Sequence, residues 1–190
     1  MKIKVIIWSY IKNGYYPIDK TVLDYLKEQG YNYEVWETKI WDKINRGGIQ
    51  SWKVMLPKIE KYLESHDYIL VAEDDALIHL KPKEIQEIIN IYPKDIIWIG
   101  YQKMHIQGFV GSQLYYLPKE KFNYYKQELL SYTGAHGDMF LNKIEDVIVI
   151  PQQYKDKNVG ELTRISSVTG KLREGDSNFK ETKIYPLIVT

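Results

Sequence analysis

A run of five apolar residues, Tyr68-Ile69-Leu70-Val71-Ala72, passes directly into Glu73-Asp74-Asp75 and then back into Ala76-Leu77-Ile78. A short apolar run with no polar face reads as a strand buried on both sides, the pattern of a parallel sheet covered by helices. The acids stand where that strand runs out. Two carboxylates about 4 Å apart repel by roughly 4 kcal/mol at an effective dielectric near 20. Three of them together are therefore solvated, paired with bases, or holding a metal. In an open α/β sheet the crevice beyond the carboxyl ends of the strands is also where ligands bind. If extension continues past Ala72, Glu73 and Asp75 share one face and Asp74 takes the other.

The rest of the chain alternates strand and helix signals. Lys2 to Tyr10 is a β-branched run suited to a central strand; Pro17 then opens a helical pattern with a Val22, Leu23, Leu26 stripe that Gly30 stops. Tyr31 to Glu37 reads as a strand, and Ile49 to Ser65 as a helix with a kink or restart at Pro57. After the acidic strand come a helix from Pro82, a strand over Asp95 to Ile99, a strand over Gln113 to Leu117, a helix opened by Pro118, a short amphipathic stretch over Met139 to Ile144, and a strand over Val147 to Ile150. Residues 152–183 are polar, carry Gly160, Gly170 and Gly175, and lack periodicity, which predicts a loop, flap or tail. This order predicts an α/β/α sandwich, Rossmann-like, with a mostly parallel central sheet. At 190 residues the expectation is one domain spanning 1–190.

A net charge of +1, from 26 basic against 25 acidic residues, supplies no global field for nucleic acid, so no nucleic-acid partner is expected. With no cysteine there is no disulfide framework, zinc-thiolate site or cysteine nucleophile. No stretch approaches the roughly 18 apolar residues of a membrane span. Ile3 to Trp8 is too short for a signal sequence. A cytoplasmic location without a transmembrane segment is the expectation.

Hard oxygen donors at a partly open site suit Mg²⁺ or Mn²⁺, which keep waters and bind substrate phosphates; the implied ligand is a metal-bound diphosphate. The bland reading of the acids is a solvated turn or a helix start. His136 and Asp138 lie in the glycine-flanked stretch Gly134-Ala135-His136-Gly137-Asp138. The histidine can ligate metal or touch phosphate, and the aspartate can act as a general base within reach of an acceptor hydroxyl, or merely cap the helix that follows. Trp8, Ser9 and Tyr10, at the end of the first strand, can stack on or hydrogen-bond a nucleobase, although an aromatic there also suits a core. His66 and His105 have no such company.

Three landmarks, in order, resemble the GT-A glycosyltransferases, and most closely the lipopolysaccharide-type galactosyltransferases of family 25. They are Arg46-Gly47-Gly48-Ile49-Gln50-Ser51-Trp52, Tyr68 to Ile78 with its central Glu73-Asp74-Asp75, and Gly111-Ser112-Gln113-Leu114-Tyr115-Tyr116-Leu117. The family's Cys and Ser-His after the first landmark are absent; Ser51-Trp52-Lys53 stands there. The resemblance implies sugar transfer from a nucleoside diphosphate sugar to a hydroxyl on a glycan or glycoprotein acceptor, with inversion. It implies that Asp75 ligates Mn²⁺ or Mg²⁺, while Glu73 or Asp74 serves the ribose or a metal-bound water; Asp74 and His136 are the further candidate ligands read from the residues themselves. Gln113 and Tyr115 would orient the donor sugar, and Asp138 would be the base. Two other readings share these landmarks: a non-catalytic nucleotide-sugar or glycan-binding protein, and a metal-dependent phosphohydrolase. The second lacks a Gly-x-x-x-x-Gly-Lys-Ser/Thr loop or any other evident phosphate clamp.

Overall fold

The computed structural model describes residues 3–11, 20–39, 47–74, 76–101, 103–105, 108–110, 114–134, 137–145, 147–151, 153–155 and 157–162. The elements are β1 (Lys4–Ile11), α1 (Lys20–Glu28), β2 (Asn32–Lys39), α2 (Gly47–Leu63), β3 (Tyr68–Glu73), β4 (Ala76–Ile78), α3 (Pro82–Ile91), β5 (Ile96–Tyr101), β6 (Lys103–His105), β7 (Gly108–Val110), β8 (Leu114–Pro118), α4 (Phe122–Ser131), α5 (Gly137–Leu141), β9 (Val147–Pro151), β10 (Gln153–Tyr154), β11 (Lys157–Asn158) and β12 (Gly160–Leu162).

Six strands form the central sheet in the order β2-β1-β3-β8-β5-β9. Pairings β1–β2, β1–β3 and β5–β9 are parallel, whereas β8 runs antiparallel to both β3 and β5. The sheet is thus mostly parallel, with one reversed strand inserted at its centre.

Each central strand is apolar on both faces because both are covered. On one side, Ile6, Trp8, Trp36, Ile69, Val71, Trp98 and Tyr115 pack with α2, α4 and α5. On the other, Val5, Ile7, Leu70, Ala72, Ile97, Leu114 and Tyr116 pack with α1 and α3. Alternate residues of every strand go to opposite cores, as the period-2 geometry of strands requires. The helix α2 presents Ile49, Trp52, Leu56, Ile59 and Leu63, a 3-4-3-4 spacing that keeps one stripe on the sheet. It runs through Pro57 undivided, so the expected kink or restart is not an end of the element.

Helix ends follow the local chemistry. Gly30 takes φ of 86°, with Gly30 N–H bonded to the Lys27 carbonyl and Tyr31 N–H to that of Leu26, the Schellman pattern that stops α1 where a residue with no Cβ penalty stands. At α3, Pro82 opens the first turn and the Glu84 carboxylate accepts from the Lys81 backbone N–H at 2.8 Å. Pro118 ends β8 and caps the start of a short 3-10 turn over Lys119–Lys121, which runs directly into α4, so the helix expected after Pro118 begins there.

The expectation of a structureless segment from 152 is corrected at its start. β10 and β11 form a small antiparallel hairpin, and β12 pairs antiparallel with β4, Leu162 standing opposite Ala76. These strands are two or three residues long, too short to show a period. Three ties hold them: the β12–β4 ladder, the His79 N–H on the Val159 carbonyl at 2.8 Å, and an ion pair between Lys157 and Glu84. Residues 163–183 lie outside the described residues. Among the described residues, no helix is long and apolar enough to cross a membrane.

The core holds several neutral tyrosines. Burial pushes the hydroxyls of Tyr31, Tyr115 and Tyr125 well above the ordinary tyrosine range, and that of Tyr116 up to about 12. A raised folded-state value means that the unfolded chain loses the proton first, so the stability these groups contribute is complete below about pH 10 and declines as pH rises further. Thermal midpoints measured between about pH 8 and 12 should therefore be level up to about pH 10 and fall beyond it. A midpoint indifferent to pH over that range would show these hydroxyls to be solvated.

Candidate active site

The strand β3 ends at Glu73, and Asp74 occupies the turn into β4, so extension does not continue through the acids as the alternation argument supposed. Glu73 is half-buried, while Asp74 is 2% exposed. A carboxylate this deep persists only with hydrogen-bonding or charged company. In β3, Glu73 continues the Ile69, Val71 series and faces the core under α2. Its neighbour in register on β1 is Trp8. Its charge also reaches the Tyr115 hydroxyl, adding to the burial and the Tyr125 contact that raise that group.

Trp8 is 4% exposed, its ring meeting Trp52 edge-on at 5.3 Å and Tyr115 at 6.2 Å. The indole is thus packed among core aromatics. Its Nε1, however, is buried and has no hydrogen-bond partner among the described residues. Ser9 is buried at 2% exposure on the opposite face of β1. For Tyr10 and Asp138 the backbone alone is described. Asp75, Gln113 and His136 lie outside the described residues.

Tyr115 stands in the core. It is 1% exposed, tilted against Trp52 at 5.1 Å, and its hydroxyl lies 3.1 Å from that of Tyr125. It serves the site by holding Trp8 and Trp52 in place. His66 is an exposed side chain whose Nδ1 lies 2.9 Å from the Tyr62 carbonyl while its ring stacks on Tyr62 at 3.8 Å.

The backbone of Asp138 is carried to this end of the sheet by α5. Phe140 of that helix meets Trp52 edge-on at 6.2 Å and Tyr125 at 5.5 Å. At its first residue, Gly137, an added Cβ would lie 2.5 Å from the six-membered ring of Trp52. Lys53, next to Trp52, donates to the carbonyl of Tyr132 at 2.7 Å and so ties the stretch leading to α5 onto α2. Trp52 was named in the sequence only as part of a landmark, and Phe140 was given no role; the Ile49, Trp52, Leu56, Ile59 spacing is the signal that places the tryptophan against the sheet.

Among the described residues no group of three or more His, Cys, Asp or Glu side chains comes together to hold a metal by itself. Glu73 and Asp74 nevertheless supply adjacent hard-oxygen donors at a strand end, a set that suits Mg²⁺ or Mn²⁺ when substrate phosphates and waters complete the coordination.

No family model matches the chain, and no curated protein matches it. Among solved structures, a glycosyltransferase involved in the glycosylation of the major capsid of PBCV-1 is similar with a TM-score of 0.57 at 12% identity, over 80% of this chain and 83% of that one. The catalytic domain of Drosophila beta1,4galactosyltransferase 7, complexed with xylobiose, gives 0.49 at 17% identity, over 93% and 77%. A mutant of the latter, complexed with manganese, UDP-Gal and xylobiose, gives 0.48 at 13% identity, over 96% and 82%. The likeness to the viral enzyme, with the sheet order and the two covering layers, defines a GT-A-like fold.

The close approach at residue 137 makes a direct test of this packing. Gly137→Ala should lower stability by roughly 1–3 kcal/mol, because Trp52 is wedged among Trp8, Tyr115 and Phe140 and has nowhere to move. Chemical denaturation of the variant measures this; an unchanged midpoint would mean that α5 is not seated on Trp52.

Proposed function

We propose that this chain is a metal-dependent glycosyltransferase that moves a sugar from a nucleoside diphosphate sugar to a hydroxyl of a glycan or glycoprotein acceptor. The observation that carries the reading is the pair Glu73 and Asp74, one half-buried and one buried, at the carboxyl end of the central strand β3 in a sheet shaped like that of the PBCV-1 glycosyltransferase. Two adjacent carboxylates at a strand end repel each other. A bound cation offsets that repulsion.

In this reading Asp75, with Asp74 and His136, holds Mn²⁺ or Mg²⁺. The bound cation supplies electrostatic stabilisation to the charge that builds on the departing diphosphate. Glu73 receives a hydroxyl of the donor. Tyr10, beyond Trp8 near the end of β1, lines the nucleoside end, and Gln113 orients the sugar. Asp138, delivered by α5, removes the proton from the acceptor hydroxyl. The acceptor oxygen forms its bond to the anomeric carbon as the bond from that carbon to the diphosphate oxygen breaks, which inverts the configuration.

Binding and chemistry separate by mutation. Asp75→Ala should abolish metal-dependent binding of nucleoside diphosphate sugars while leaving the fold intact, since it removes a charge from a repulsive cluster. Isothermal calorimetry of UDP-glucose and GDP-mannose, with Mn²⁺ and with chelator, reads this directly. Equal affinities in the two conditions would overturn the metal dependence. Asp138→Asn should retain donor binding and lose turnover by roughly 10²- to 10⁴-fold; normal turnover would reduce Asp138 to a helix-capping residue.

A further inference from the structure

Among the described residues, the Trp8 indole Nε1 is a buried donor with no hydrogen-bond partner. Leaving such a group unpaired is costly, and nearly all buried polar groups in folded proteins find a partner in protein, water or ligand. Its position narrows the choice. Trp8 is the last residue of β1 in register with β3, opposite Glu73, and both side chains lie on the sheet face under α2. The rest of the indole is immobilised by Trp52 and Tyr115, so the N–H keeps a fixed location at the ligand-binding end of the sheet.

We infer that the Trp8 indole N–H is a ligand contact, donating to a hydroxyl of the nucleoside diphosphate sugar that at the same time donates to the Glu73 carboxylate. The assignment rests on the reading of the site given above and adds a specificity-determining residue to it. A phosphate oxygen in this place would face the charges of Glu73 and Asp74. A hydroxyl has one proton to give to a carboxylate and lone pairs to receive an indole N–H, so it satisfies both groups at once. A carboxylate accepts several hydrogen bonds, so Glu73 serves the ligand without giving up its other partners. The site would therefore reject a donor in which that hydroxyl is missing, because the N–H would stay buried and unpaired. Ribose and the transferred sugar both carry such hydroxyls.

The chain has five tryptophans, and the indole N–H resonance of Trp8 is identified in ¹⁵N-labelled protein by its loss in Trp8→Phe, or by elimination with Phe at the other four. It is then followed as UDP, UDP-glucose, GDP and GDP-mannose are each added with Mg²⁺. A hydrogen bond formed to the ligand moves the resonance downfield and slows its exchange with water. A response to the diphosphate alone places the hydroxyl on the ribose, and a response only to the sugar conjugate places it on the transferred sugar; either supports the assignment. Trp8→Phe should bind the responding nucleotide roughly three- to tenfold more weakly, with a lowered thermal midpoint from the space the smaller ring leaves beside Trp52 and Tyr115. If the amides of Glu73 and Asp74 shift on saturation while the Trp8 indole does not, the assignment is overturned and the N–H belongs to an internal water. If nothing responds to any of the four, the glycosyltransferase reading fails, and the assignment with it.

Discussion

Trp52 is the side chain on which the site's construction depends. It comes from α2, yet it meets β1 through Trp8, β8 through Tyr115 and α5 through Phe140. Offset and edge-to-face aromatic pairs of this kind contribute about 0.5–1.5 kcal/mol each beyond the area they bury. Their larger effect is geometric. Close-packed aromatic rings have few alternative positions, so the end of β1, the start of β8 and α5 are fixed with respect to one another. Gly137 completes the arrangement by leaving no Cβ between α5 and the indole.

Against that rigid apolar wall stand the carboxylates. Burying Asp74 to 2% exposure while keeping Glu73 half-buried beside it works against both desolvation and mutual repulsion. The strand is otherwise as apolar as a strand can be, from Ile69 to Ala72, and the change in character takes place within one residue. The sheet thus supplies the stability that the acidic turn consumes, a division of labour expected where a rigid scaffold carries a functional loop.

Much of the architecture was legible because the strands are covered on both faces. Runs such as Ile69-Leu70-Val71-Ala72 and Ile96-Ile97-Trp98-Ile99 have no polar side to lose, and they occur between helical stripes, which requires a layered α/β arrangement. The reversal of β8 was not legible. Leu114-Tyr115-Tyr116-Leu117 is buried on both faces like its parallel neighbours, and strand direction leaves no mark on a pattern of period two. Nor was the place of Tyr115, whose hydroxyl makes it read as a ligand contact until Tyr125, ten residues on, is found opposite it. The acidic turn was legible as chemistry, from three adjacent like charges. Its geometry was not, since Asp74 leaves the strand rather than extending it. Trp8 lay between the two readings, with its ring in the core and its N–H free.

The pairing of β12 with β4 bears on the order in which the molecule assembles. β4 follows the acidic turn immediately, but its only described ladder partner is more than eighty residues further along the chain. A chain emerging from the ribosome can lay β1, β2 and β3 side by side, with α1 and α2 upon them, long before Gly160–Leu162 exists to close that edge. The edge beside the acidic turn is thus completed by a strand that the ribosome makes much later than β3. Substitutions around it would act chiefly on how fast the native state is lost, and little on how fast the core is gained.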